Sequence, residues 1–220
     1  LSRSVVSRRL THAVLSVFAL SFFFVTQPYL SANHRMRLIE EVFECSRVTS
    51  TRLDHLLAYG WRHFGTTFYR YNFSILRGEP HVIIPLRLAV QGFAPRKSQR
   101  RVIRNNADTR TVVRLASVTP VKEAIFSRHA ETRFVENRPT SLYDFVSRKP
   151  QSVPCTCMNV DIFLGDRLIA SSFLDMGKSS VSSIYASFDP EFSDRSLGVY
   201  TALEEIRFAR ECGKRHYYLG

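Results

Sequence analysis

Cysteine is scarce here and poorly patterned. Of four in 220 residues, only Cys155 and Cys157 stand close, as C-x-C, while Cys45 and Cys212 are isolated. A structural zinc site usually takes two such pairs, or a pair with two histidines at set spacing, and nothing in the sequence marks His129 or His216 as ligands. The cysteines are therefore expected to be buried free thiols, no metal is expected, and their ordinary usage fits a reducing compartment. Negative charge is also scarce: 19 Asp+Glu against 31 Lys+Arg give a formal net charge of +12. That excess draws anionic partners, nucleic acid first and an anionic membrane surface second, without specifying a fold. A long apolar run is missing too, since Ala13 to Val25 falls short of the about 20 residues of a membrane-spanning helix.

The chain is nonetheless rich enough in apolar (45%) and aromatic (12%) residues to build one sizeable core. Residues 1–35 are set apart from it. Arg3, Arg8 and Arg9 precede the apolar run, and Pro28 and Ser31-Ala32 follow, as in an export signal. The sequence opens on Leu1, and Met36 offers an internal start before Arg37-Leu38-Ile39-Glu40-Glu41. Three readings stand: a signal, a short anchor, or upstream sequence foreign to the functional protein, the last being preferred. Residues 36–92 form an N-terminal region with a helix and strands, and 93–220 the principal domain.

Charge concentrates just after residue 93. Pro95 suits a helix start, and the segment from Arg96 to Asn106 reads as a helix. Lys97, Arg101 and Arg104 share one face at i, i+4 and i+7, with Arg96 and Arg100 beside them and Val102 and Ile103 turned toward a core. Guanidinium forks on such a face suit phosphate oxygens, and a solvated basic face is the plain alternative.

Elsewhere the pattern alternates. A helix ends at Tyr59 before Gly60; Thr66–Phe73 and His81–Val90 read as strands around a Gly78-Glu79-Pro80 turn. Thr111–Ala116 reads as a strand, and Pro120–Thr132 and Ser141–Ser147 as helices, the second capped by Ser141. Strands follow at Thr156–Phe163, Arg167–Leu174 and Ser182–Phe188, the first two joined at Gly165-Asp166. After Asp189-Pro190 and a loop, a helix runs to about Cys212 with Val199, Leu203, Ile206 and Ala209 as its apolar stripe, then Gly213 and a strand at His216–Leu219. This is a strand–helix–strand unit whose helix start, Arg195-Ser196-Leu197-Gly198, offers free N–H groups to an anion; capping by Asp194 or Ser196 is the plain alternative.

Several blocks occur in order: Gly60-Trp61-Arg62-His63-Phe64-Gly65; Phe93-Ala94-Pro95 with Ser98-Gln99-Arg100-Arg101-Val102 and Arg104-Asn105; Ser183-Ile184-Tyr185 with Phe188-Asp189-Pro190; Arg195-Ser196-Leu197-Gly198-Val199-Tyr200; and Tyr218-Leu219-Gly220. Together they resemble the C-terminal domain of aminoacyl-tRNA–protein transferases, the arginyl and leucyl transferases of the N-degron pathway. The resemblance implies an α+β, acetyltransferase-like (GNAT-like) fold with a mixed, mainly antiparallel central sheet flanked by helices. It implies transfer of Arg or Leu from charged tRNA, as co-substrate without other cofactor, to the N-terminal amine of acceptors beginning with Asp, Glu or similar. It further implies a cytoplasmic monomer with no stable membrane association. By the same resemblance Arg96, Ser98, Arg100, Arg101 and Arg104 contact tRNA phosphates, and Arg195, Ser196 and Gly198 hold those of the 3′ end. Tyr185 and Asp189 lie where the acceptor amine arrives, Asp189 having a turn-starting role as its plain alternative. Tyr200 and Tyr218 are read as packing.

The chain departs from that family in two ways. The family's paired cysteines are missing from Tyr71 to Pro80, and family members continue past the position of Gly220, so a truncated or differently finished pocket is expected. Two other functions remain: a CoA-dependent N-acyltransferase, although Arg195 to Tyr200 is poor in glycine for its phosphate loop, and a non-catalytic RNA-binding relative.

Overall fold

The computed structural model describes residues 38–76, 78–134 and 138–219. The segment 1–35, with its apolar run, and Gly220 lie outside the described residues. Among those described, no helix is long and apolar enough to cross a membrane.

The architecture is mixed α/β and mainly antiparallel. Strands β7 (Thr109–Leu115), β8 (Cys157–Leu164), β9 (Arg167–Met176) and β10 (Ser180–Phe188) form an antiparallel meander. Helix α4 (Leu197–Glu211) then crosses over to β11 (His216–Tyr218), which pairs parallel with β10, and β6 (Arg87–Ala89) closes the six-stranded sheet at that edge. A three-stranded sheet is made by β1 (Glu40–Glu44), β2 (Arg62–Phe64) and β3 (Thr67–Tyr71) beside α1 (Ser50–Ala58), and β4 (Phe73–Leu76) with β5 (Glu79–Val82) form a hairpin. Helices α2 (Lys97–Asn105) and α3 (Pro120–Arg133) complete the set.

Side-chain alternation builds a core on each sheet face. Leu174 lies with Val160, Ile162 and Val181 under α4, through Leu197, Tyr200, Ile206 and Ala209. Its neighbour Phe173 lies on the opposite face with Phe126 and Ala130 of α3 and with Leu142 and Phe145. A third cluster holds α1 and Phe68 against Cys155 and Tyr218, which ties the small sheet to the large one.

Most of the elements read from the sequence are present, with several corrections. Ser141–Ser147 is one 3-10 turn, Leu142–Asp144, because Asp144 accepts the N–H groups of Thr140 and Ser141 locally and burial then pulls Phe145 and Val146 into the core. His81–Val90 is two strands, since Pro85 offers no N–H to a ladder; Glu79 and Pro80 belong to β5 rather than to the turn. The loop after Asp189 is a 3-10 helix, Pro190–Arg195. Of the stripe expected on α4, Val199 is exposed, and Tyr200 takes its place among the buried residues; Ile103 of α2 is exposed as well. Cys155 and Cys157 are buried free thiols as expected, but Cys212 is exposed.

Candidate functional site

The two basic features identified in the sequence meet at one corner. Asn106, at the end of α2, is buried and donates from Nδ2 to Val102 O and to Arg195 O, both at 2.9 Å. Arg195, just before α4, forks onto Asp108 at 2.7 and 2.9 Å. Burial opposes this ionisation, but the bond from Arg195 outweighs it and holds Asp108 below its usual range. Around this corner Lys97, Arg101 and Arg104 are exposed and make no ion pair among the described residues. Arg100 is held by Pro95 O at 2.6 Å, Arg96 gives its N–H to the Gln99 side chain, and Ser98 is exposed in the first turn. Arg195 is thus committed to Asp108, and a phosphate would have to share it.

Ser196 starts α4 with φ 54° and ψ 45°, the one non-glycine positive φ among the described residues. That geometry costs about 1–2 kcal/mol in a residue with a Cβ. Its hydroxyl makes no capping bond, and the first intrahelical bond runs from Tyr200 N to Ser196 O at 3.0 Å. The N–H groups of Leu197, Gly198 and Val199 therefore find no partner within the helix, at the positive end of its dipole. Strain kept beside uncapped donors is a usual mark of a binding site.

Next to this corner is the far end of β10. That strand pairs with β11 only from Ser180 to Ser182, so Ser183 to Phe188 has no partner on that side. On the other side a bulge lies between Ser183 and Tyr185, one extra residue that re-aims the side chains beyond it. Both Ile184 and Tyr185 consequently pack toward α3. The Tyr185 ring stacks on Phe145 at 4.0 Å, and its hydroxyl is 3.4 Å from His129 Nδ1. Burial, with Arg133 second, pushes His129 down to about 4, so it is neutral near pH 7. Nδ1 then accepts from the Tyr185 hydroxyl, leaving a buried Nε2–H without a partner among the described residues. Burial pushes the Tyr185 phenol up. The Phe188 ring lies 4.4 Å from His129 and would stand 3.4 Å from a Cβ at Gly198, so it joins the Tyr185 pocket to the start of α4.

Asp189 is buried and fully engaged. One oxygen accepts from Arg128 at 2.9 Å and Arg167 at 2.8 Å, and the other caps Glu191 N. Burial would raise its pKa, but the two arginines outweigh burial and hold it below its usual range. The plain alternative, a turn starter, describes its contacts. Tyr200 and Tyr218 are buried, as packing requires.

Two residues of this region were not singled out as site residues from the sequence. His129 falls on the buried stripe Lys122, Ile125, Phe126, His129 and Ala130, and that helical period was the available signal. Glu205 of α4 is buried beneath the fork of β10 and β11, accepting from Tyr217 at 2.6 Å and Ser183 at 3.2 Å. Burial pushes it up to about 6. The signal was Glu204-Glu205 inside an amphipathic helix, where adjacent acids beside buried Leu203 and Ile206 put one toward the core.

The family and curated-protein comparisons point to one family. The family described as "Arginine-tRNA-protein transferase, C terminus" matches residues 121–220. An aspartate/glutamate leucyltransferase of Campylobacter jejuni is 28% identical over 88% of this chain and 80% of its own. Another, from Chromohalobacter salexigens, is 30% identical over 76% of this chain and 67% of its own. Among solved structures, FemX overlaps 76% of this chain and 59% of its own at a TM-score of 0.47 and 11% identity.

Proposed function

The chain belongs to the aminoacyl-tRNA–protein transferases, and from that premise we propose that it moves leucine from charged tRNA onto proteins beginning with Asp or Glu. The enzyme class is tRNA-dependent aminoacyl transfer to protein N-termini. Leucine as donor follows the names of the relatives; arginine is the second donor to be tried. The product would enter N-degron degradation, and the cytoplasm, where charged tRNA is available, suits a monomer acting there.

The observation that carries the tRNA reading is the α2–α4 corner. Cations that make no ion pair among the described residues lie on α2, whose end contacts Arg195 through Asn106 and Asp108 beside a helix start with three N–H groups unpaired within the helix, so one polyphosphate strand could touch both. Arg96, Ser98, Arg100, Arg101 and Arg104 would meet phosphates along the acceptor arm; Ser196 and Gly198, with Arg195 behind them, would meet those of the 3′ end. A GNAT-like reading of the sheet is supported by the β7–β10 meander, the α4 crossover, the parallel return of β11 and the fork beyond Ser182.

The chemistry asks little of acid–base groups. The acceptor amine, with a pKa of about 7.7–8.0, is partly neutral near pH 7. Its nitrogen attacks the ester carbonyl, the amide C–N bond forms, and the C–O bond to the terminal ribose breaks, the ribose oxygen leaving with a proton and the amine losing one. Holding the two substrates together supplies much of the acceleration. Tyr185 stands at the unpaired end of β10, where the amine would arrive, with neutral His129 orienting its hydroxyl. Asp189 would act as a positioning residue, fixing that strand end through Arg128 and Arg167.

The test is label transfer from Leu-tRNA and Arg-tRNA to peptides beginning with Asp, Glu or Lys. Transfer from Leu-tRNA to the acidic peptides is expected. Acetyl-CoA turnover without tRNA would favour the N-acyltransferase, and tRNA binding without transfer the non-catalytic relative.

A further inference from the structure

Where the small sheet meets the large one, three buried side chains converge: His63 of β2, Cys155 just before β8, and Asp175 near the end of β9. Their donor atoms all lie within 4.8 Å of one another. We propose that this cluster is a structural site for a thiophilic divalent cation, zinc being the natural occupant, which fastens the small three-stranded sheet to the six-stranded one.

The hydrogen bonds of His63 point the same way. Its Nδ1 is 3.0 Å from Gly65 O, and a carbonyl only accepts, so Nδ1 carries a proton. Its Nε2 sits 2.5 Å from Asp175 Oδ2, a contact bridged either by a shared proton, as in an ion pair, or by a metal ion. The other Asp175 oxygen, Oδ1, is buried and makes no geometrically formed hydrogen bond among the described residues, and the Cys155 and Cys157 thiols stand close enough to the carboxylate to interact with it. A metal bound at Nε2 and the carboxylate would take the place of that proton and draw on the orphaned Oδ1, and the Nδ1–H bond to a backbone carbonyl is the outer-sphere contact that usually orients a metal-bound histidine.

The donor set fits zinc in kind and charge. Imidazole, thiolate and carboxylate are its usual ligands, and one thiolate with one carboxylate neutralises Zn²⁺ in a site without water. Bonds of about 2.0–2.3 Å imply ligand separations of about 3.3–3.8 Å in a tetrahedron. The His63–Asp175 pair must therefore open by under about 1.5 Å, and Cys155 close by a similar amount, both rotamer-scale shifts. Cys157, two residues along and opposite Asp175 in the strand register, is the neighbour available for the fourth position. The contact is long-range: it joins Gly60-Trp61-Arg62-His63 to the β8–β9 hairpin, beside the cluster of Leu53, Leu56, Phe68 and Cys155.

The full chain, purified without chelator, should carry about one zinc by elemental analysis, and after metal stripping should regain it at one equivalent. Cobalt should give a thiolate charge-transfer band in the near ultraviolet. Saturating zinc should raise the melting temperature of the stripped protein by about 5–10 °C. Cys155→Ser should abolish the cobalt band and the thermal shift, whereas Cys212→Ser, at an exposed site, should keep both. If the unsubstituted stripped chain takes up neither ion and its melting is indifferent to both, the cluster is a hydrogen-bonded core and the proposal is wrong. This test reads metal and melting, so it stands apart from transfer activity.

Discussion

Alanine at Lys97, Arg101 and Arg104 together is the sharpest probe of the tRNA corner. All three are exposed on α2, and no ion pair or side-chain hydrogen bond ties them to other described residues. Alanine is also the best helix former, so the variant should fold with a stability change of under about 1 kcal/mol. Its effect should fall on binding alone. Each lost phosphate contact removes about 0.7–0.9 from the slope of log affinity against log salt, so three remove about 2–2.7. Between 50 and 200 mM salt, the wild-type advantage should therefore shrink by about 15–40-fold. Filter binding of charged tRNA over that range measures both lines. Parallel lines, with the variant as salt-sensitive as the parent, would show that these cations never touch phosphate.

Further expectations concern the pocket and its supports. His129 has its pKa pushed down to about 4 in the fold against about 6.5 unfolded, so the unfolded chain binds the extra proton between those values. Stability should then fall by about 3 kcal/mol as pH drops from 6.5 to 4. Urea melts of His129→Phe should show a flatter profile there, and an unchanged one refutes the buried neutral ring. Glu205 works in the opposite sense: its raised pKa favours the fold below about 4.5 and the advantage is lost as pH rises through about 6. Glu205→Gln should lessen that loss, a difference readable against wild type in the same melts. Tyr185→Phe removes the hydroxyl beside His129 and should lower kcat about 10-fold or more with stability within about 1 kcal/mol; an unaltered kcat in the label-transfer assay would leave the ring as a wall. Asp189→Asn deprives Arg128 and Arg167 of their shared carboxylate and should cost about 1–3 kcal/mol in denaturant melts. Its effect on transfer should appear in KM before kcat, as positioning requires.

The ordering of elements was legible from residue 93 onward because local rules dictated it. Pro95 set the start of α2, Gly165 the β8–β9 turn, and Gly213 the end of α4, the last two with positive φ. The in-order blocks around Ser98–Val102 and Arg195–Tyr200 carried the family. Misreadings arose where neighbours outweighed local preference. Phe145 left its expected helix for the core against Phe64 and Tyr185, and Val199 gave way to Tyr200 because α4 turns its buried stripe toward β9 and β10.

By itself, then, the sequence determined a basic chain of alternating helices and strands with a cationic helix, one hairpin at Gly165-Asp166 and a late strand–helix–strand unit, since charge, periodicity and turn residues act over a few positions; the mainly antiparallel sheet was implied by the family resemblance. Tertiary structure alone decided that Arg195 is spent on Asp108, that His129 stands behind Tyr185, that Glu205 lies under the β10–β11 fork, and that His63 meets Cys155 and Asp175. Those pairs are separated by 56 to 112 residues where they cross the chain between His129 and Tyr185 or His63 and Asp175, and no local periodicity encodes contacts of that reach. Packing of whole elements brings them together.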